Sequence, residues 1–487
     1  MNKRNLYTAI LCSVVIFTSS CKKEFLDPSL KTSVAAENAF DTQFRIESQA
    51  NSLYGSLKNG SFYGGRYLAY GNIRGEDFIN ETGNLVTASD VWSLNLANSA
   101  TSVKGLWSQG YLTINRCNVF IDGMASKGNS VVGDAAGAKY IAEARLIRAL
   151  SYYSLLQLFA RPYADGNGSK PGLPLRLVGI TGPGFSDLAR STVDQVYTQI
   201  LADLNYAETN LPATNASALL NTTRAHKNTA IALKTRVYLT MGKWAEVITE
   251  ANKLVPAVAP FKAKVNVAND LVTDIASVFK APYTTAESIF SLPMTSSASP
   301  LDYPGTQNSL ASYFYFTNAT PGTTEYSLNP VGIIANTGWK STDKRRALLF
   351  TSAASKQFVA KFVAPSPYTD YVPVIRWSEV LLNLAEARVR STNTVDAQAL
   401  LLLNAVRQRS DATTTFAPAT VADFTDALLL ERRIEFLGEG LRGPDLTRLL
   451  LTLPLKGSAP AKTATENGYI WPISSDELSL NKLMTDN

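Results

Sequence analysis

The chain has 487 residues, 45% of them hydrophobic and 18% charged, with 46 Lys and Arg against 40 Asp and Glu for a formal net charge of +6. Its basic residues are scattered, Lys344-Arg345-Arg346 being the one short run, so the basic stripe that nucleic-acid binding calls for is missing. A single histidine, His226, and three cysteines exclude zinc patterns built on several Cys and His ligands, and any Ser-His-Asp or Cys-His triad has to use that one imidazole.

Residues 1–20 read as a secretory signal: Lys3 and Arg4, an apolar run from Leu6 to Phe17, then the small residues Thr18, Ser19 and Ser20. The run is too short to span a bilayer, which takes about 20 apolar residues. Cys21 follows the cleavage site, and the arrangement resembles the lipobox of bacterial lipoproteins, in which that cysteine carries the lipid. Acyl chains contribute about 0.8 kcal/mol per buried CH2, so several together anchor stably. With Cys12 removed and Cys21 acylated, Cys117 is left as the free thiol and no disulfide framework is possible. It falls in a helical pattern from Leu106 to Ile121, where cysteine reads as a small buried hydrophobe.

From Cys21 onward the expectation is one continuous domain, 21–487, mainly α. Its helical scaffold covers about 36–58, 102–160, 190–255 and 375–450. Ala142, Leu146, Ala149, Tyr153, Leu156 and Ala160 recur at 4-3-4-3-4 spacing and line one helical face, ended by Arg161-Pro162. Ser191-Thr192-Val193-Asp194 offers an N-cap to a stretch that runs to Leu211 and stops at Pro212. His226 stands just before the next helix and reads as a solvated or capping residue. Two helix–turn–helix units follow. One pairs Lys227–Thr240 with Trp244–Leu254 across Met241-Gly242-Lys243; the other pairs Trp377–Arg390 with Ala397–Arg409. These tetratricopeptide-like hairpins cannot bury their apolar faces alone, so they are expected to stack into a superhelical body.

Two segments break the helical period, about 59–100 and 256–374. They are rich in Pro, Gly, Thr, Ser and Asn, with short apolar or aromatic runs such as Ser288–Leu292 and Tyr313–Phe316. They predict a loop-rich, minor-β face of short strands and strand pairs laid on the helices.

Near the C-terminus the stretch LLLERRIEFLGEGLRGPDLTR, residues 428–448, concentrates charge and glycine. Gly438 and Gly440 let a helix end and turn sharply, and Asp445 and Arg448 start another short helix. Glu431, Arg432, Glu435, Glu439, Arg442, Asp445 and Arg448 are expected to form a partly buried ion network. Glu435 and Glu439, placed i and i+4 on one helical face, also invite an acid–base reading, but Arg432, Arg433, Arg442 and Arg448 lie close enough to hold both ionised. This stretch resembles the signature of the SusD/RagB family of nutrient-binding outer-membrane lipoproteins. AEARLIRA at 142–149 with Leu158-Phe159, Ile375-Arg376-Trp377-Ser378-Glu379, Asp343-Lys344-Arg345-Arg346, Ile470-Trp471-Pro472-Ile473 and the start from Cys21 to Asp27 fit the same family in order. The tail departs from it where Ser474 replaces a proline and Lys482 follows Asn481.

The resemblance implies a body with four tetratricopeptide-like units, lipid-anchored at the surface of the outer membrane. It also implies a TonB-dependent, SusC-like barrel as partner, an oligosaccharide ligand, and capture without catalysis; the residues assign no cofactor and no metal ligands. For sugars the expected site is an arc of rings that stack on pyranose faces, with amides and carboxylates meeting the hydroxyls. Trp92, Tyr313, Tyr315 and Trp339 lie among polar loop residues and are the candidate platforms, with Asp90, Asn95 and Asn318 as hydroxyl partners. Three alternatives stay open: a peptide-binding member of the family, a pure interaction scaffold, or a glycoside hydrolase using loop acids such as Glu76, Asp77, Asp90 and Glu325, whose spacing is not specific.

Overall fold

Several helix starts in this chain are set by side chains that cap them. In the computed structural model, which describes residues 38–182, 184, 186–298, 301–315 and 324–487, Thr42 Oγ accepts from the Arg45 amide at the start of α1 (Gln43–Leu57). Helices α2 (Arg66–Ile73), α3 (Thr101–Gly123) and α4 (Asp134–Phe159) follow. Thr192 and Gln195 form a reciprocal capping box on α5 (Val193–Asn210), and Pro212 lies just past its end. The first hairpin is α6 (Lys227–Met241) and α7 (Trp244–Leu254), turned by Gly242 at φ 69°. The second is α8 (Trp377–Thr392) and α9 (Ala397–Ser410), turned by Asn393 at φ 52° and capped by Asp396, which accepts from the Ala399 amide. Thr420 and Asp423 box the start of α10 (Val421–Glu435), and α11 (Arg442–Arg448) closes the motif.

Successive helices pack on one another: α3 on α4, α4 on α5, α5 on α6, α6 on α7, α7 on α8 and α8 on α9. One hydrophobic cluster runs through them from Ile46 to Met484. The expected one-sided face of α4 is a correction to make. From Tyr140 to Phe159 the helix is buried nearly all round, because α1, α3 and α5 cover it from different sides. Its charges survive there by pairing: Arg148 with Asp203 at 2.7 Å and Glu143 with Arg224 at 2.8 Å. Cys117 is fully buried on α3, and burial pushes its thiol pKa up, as suits an inert packing residue.

Three antiparallel strand pairs lie against the helices. β1 (Phe78–Asn80) joins β3 (Tyr326–Leu328), β2 (Ser288–Leu292) joins β6 (Val372–Arg376), and β4 (Leu349–Thr351) joins β5 (Gln357–Val359). The first pair matches Phe78 with Leu328 and so ties the 59–100 zone to the 256–374 zone. Two expectations shift. The run at Tyr313 is a helical turn, Leu310–Phe314, capped by Ser309 rather than a strand, and the 59–100 zone holds α2 and a turn at Ser89–Trp92 as well as a strand.

Strand β6 delivers Arg376 into the 428–448 motif. Its Nη1 lies 3.0 Å from Glu435 and its Nε 2.7 Å from Glu439, and it also pairs with Glu287. Arg409 bridges Glu287 and Glu435 at 2.6 Å each, and Arg345 reaches Glu431 at 2.5 Å. Arg432 and Arg448 share Asp445, and Arg448 also grips Glu386. Burial alone would raise the Glu435 pKa, but Arg409, Arg376 and Arg345 hold it well below the usual carboxylate range. The acid–base face does not form: α10 ends at Glu435, Gly438 and Gly440 take φ of 85° and 87°, and Glu439 returns to Arg376 from beyond the helix. Likewise Arg448 ends α11, which starts at Arg442. The tail docks in spite of its altered prolines, since Trp471 donates its amide to Leu158 O and Asn481 exchanges hydrogen bonds with the Leu188 backbone.

Candidate ligand-binding face

Three of the four predicted platform rings are not available to a ligand. Trp92 is buried and its Nε1–H donates to Phe78 O at 2.7 Å. Tyr313 is fully buried and parallel to Tyr326 with ring centroids 5.8 Å apart. Trp339 is 2% exposed beneath the Arg346 guanidinium, 4.2 Å from its ring centre. In each case a polar-looking loop sequence folds as a short turn that throws the ring inward. Tyr315 remains half-buried, edge-on to Phe350 at 6.0 Å. Asn95 is exposed, whereas Asp90 is half-buried and accepts from Ser102 Oγ at 3.1 Å and the Val91 amide. Burial raises the Asp90 pKa. Asn318, like Cys21, lies outside the described residues.

The structure assembles a different ring pair. Tyr283 and Tyr371 stack with centroids 4.4 Å apart and planes 13° from parallel, and both are half-buried. Tyr283 donates its hydroxyl to Asp370 Oδ1 at 3.2 Å, while Asp370 Oδ2 accepts from the Ala364 amide at 2.8 Å. Burial, and then the charge of Asp370, raise the Tyr283 pKa. Beside the pair lies Asp302, close enough that its charge adds to burial in raising the Tyr371 pKa. Asp302 is ion-paired to Lys58 and accepts from Thr295 Oγ1 at 2.8 Å. Lys58 comes from the end of α1 and donates to Pro293 O at 2.9 Å, so the helical scaffold meets the 256–374 zone here.

No motif in the sequence announced this pair. Tyr283 and Tyr371 are 88 positions apart, and the segment before Tyr283 reaches the 362–371 segment only through packing such as Phe279 against Phe362 at 5.9 Å. Pro-Tyr occurs at 162–163, 282–283 and 367–368, and Tyr283 and Tyr368, though not Tyr371, take left-handed backbone, φ 60° and 65°. A bulky residue in that region is strained and persists only where its surroundings hold it.

The loop acids offered to a hydrolase are engaged elsewhere. Glu76 pairs with Arg442 and Arg433, Asp77 with Arg433, and Glu325 accepts from Thr82 Oγ1 and Asn84 Nδ2. His226 is fully buried at the start of α6, its Nε2 3.1 Å from Ile289 O, which corrects the solvated reading. Burial holds its pKa down to about 4, against the hydrogen bond to Ile289. The folded state therefore takes up its proton later than the unfolded chain on acidification. The stability this histidine supports is complete above about pH 6.5 and is lost as pH falls toward 4, about 3 kcal/mol in all. Urea unfolding at pH 7, 5.5 and 4 should show that slope in the native protein and a flatter one in His226→Asn.

Comparison with known proteins agrees with this architecture. Residues 24–239 match a family model described as starch-binding, associating with the outer membrane, and residues 314–487 match the SusD family model. A SusD superfamily protein from Bacteroides fragilis superimposes with a TM-score of 0.81 at 32% identity, over 92% of this chain and 100% of its own. The chain belongs to the SusD/RagB family. A SusD-like protein, P2, from Formosa agariphila is 26% identical over 93% of this chain and 94% of its own length. Surface glycan-binding protein A from Bacteroides thetaiotaomicron, solved with laminarihexaose, shares the SusD fold at a TM-score of 0.74 and 18% identity, over 92% of this chain and 99% of its own. The 428–448 stretch by which the chain resembles SusD proteins is thus a buried scaffold, and the half-exposed tyrosines stand apart from it.

Proposed function

We propose that this chain is a non-catalytic surface lipoprotein, anchored through Cys21, that captures oligosaccharides and passes them to a TonB-dependent outer-membrane transporter. The observation that carries the reading is a half-exposed ring pair of the 256–374 zone beside the fixed Lys58–Asp302 ion pair, mounted on a stack of helices. A rigid stack lets loops vary without disturbing the core, and ring faces flanked by hydrogen-bonding groups are the chemistry that recognises sugars. A fold shared with a protein solved with laminarihexaose supports the cargo class. Engagement of Glu76, Asp77 and Glu325 by their own partners argues against paired catalytic carboxylates. The transporter partner and the surface location rest on family membership.

Affinity electrophoresis in laminarin, soluble starch and xylan tests the reading. The mature protein should be retarded by at least one of them and release no reducing ends from it, and Cys21→Ser should move the protein from the membrane to the soluble fraction. Binding of peptides alone, or release of reducing sugar, would overturn it.

A further inference from the structure

We propose that the stacked Tyr283–Tyr371 pair is a ring platform of the ligand site, taking a pyranose unit of the bound glycan, with the Asp302–Lys58 ion pair meeting its hydroxyls. This rests on the glycan-capture reading and adds a location to it. Each ring covers one face of the other, so the pair is stiffened before any ligand arrives, and less side-chain freedom is lost when a sugar packs on what remains open. The Tyr283 hydroxyl is fixed by Asp370, which sets the plane of the outer surface. A sugar ring presents C–H groups to an aromatic face and hydroxyls around its rim. The electron-rich face of tyrosine meets the first, and a carboxylate with an ammonium alongside meets the second: Lys58, paired with Asp302, donates to Pro293 O, the residue after Leu292, whose partner in β6 is Val372, next to Tyr371.

A packing role and a binding role make opposite demands at Tyr283. If the ring served only the fold, a smaller residue there would be a loss. Because its backbone is left-handed at φ 60°, glycine suits the position better than tyrosine. Tyr283→Gly should therefore melt close to the native protein and yet bind at least about tenfold more weakly the glycan that retards the native protein. Tyr371→Ala should do the same, Tyr371→Phe should stay within about twofold, and Phe44→Ala, at an exposed ring on α1, should bind as the native protein does. On the unmodified protein, nitration of Tyr283 and Tyr371 by tetranitromethane should be slowed by saturating glycan, a readout that needs no variant to fold. Native-like affinity in the glycine and alanine variants, or nitration indifferent to the glycan, overturns the platform while leaving glycan capture standing. Failure of the native protein to be retarded by laminarin, starch or xylan overturns both.

Discussion

Replacing Arg376 by alanine should cost about 3–5 kcal/mol of folding stability, measured by urea unfolding at neutral pH, because it leaves buried carboxylates facing one another without their shared cation. The guanidinium is 1% exposed and sits between Glu287, Glu435 and Glu439, while Nη2 also donates to Glu435 O at 3.2 Å. Arg409 still neutralises Glu287 and Glu435, and Lys361 still holds Glu439 at 2.7 Å. None of these replaces the link between the end of β6 and the turn after α10. Arg376→Lys should recover only part of the loss, since an ammonium cannot form the planar fork that reaches Glu435 and Glu439 together. Adding Glu439→Gln to Arg376→Ala should cost less than the two single changes summed, since much of each loss is the charge left unpaired.

Gly71→Ala is expected to destabilise by about 3 kcal/mol or more, at the upper end of overpacking effects, with a matching fall in melting temperature. A Cβ at Gly71 would stand 2.1 Å from Gly440 O, a backbone atom that cannot rotate away. The contact is reciprocal: a Cβ at Gly443 would come within 2.7 Å of Gly71 O, and one at Gly440 within 2.8 Å of Leu68 Cα. Helix α2 and the turn after α10 thus touch backbone to backbone, joined by the Gly440 amide donating to Asn72 Oδ1 at 2.9 Å. Gly55→Ala on α1, where a Cβ meets nothing within 4 Å, is the control and should be neutral or slightly stabilising through helix propensity.

What could be read in advance followed local rules. The hairpins at 227–254 and 377–410 were legible because cap, helical period and turn residue lie within a few positions of one another. The strand at Ser288–Leu292 was a compact apolar run between breakers. The 428–448 motif was legible as a charged helix end turned by glycines that take positive φ, and the family was read from its resemblance to the SusD/RagB signature. Even so, the ion network draws on Glu287, Arg345, Arg376 and Arg409, which lie up to 148 positions away, and Glu287 and Arg409 carry no local mark.

The ligand face was the least legible part. Polar neighbours in sequence suggested exposure for Trp92, Tyr313 and Trp339, yet all three turned inward, since a short turn can aim any ring at the core. By itself the sequence determined the mainly helical body, because capping, period and glycine placement are properties of adjacent residues, and its short motifs gave the family by resemblance. Only the tertiary structure decided which rings remain at the surface and which acids have partners. Those outcomes depend on segments meeting across β1–β3 and β2–β6 and on the packing of Phe279 against Phe362, none of which leaves a short-range trace.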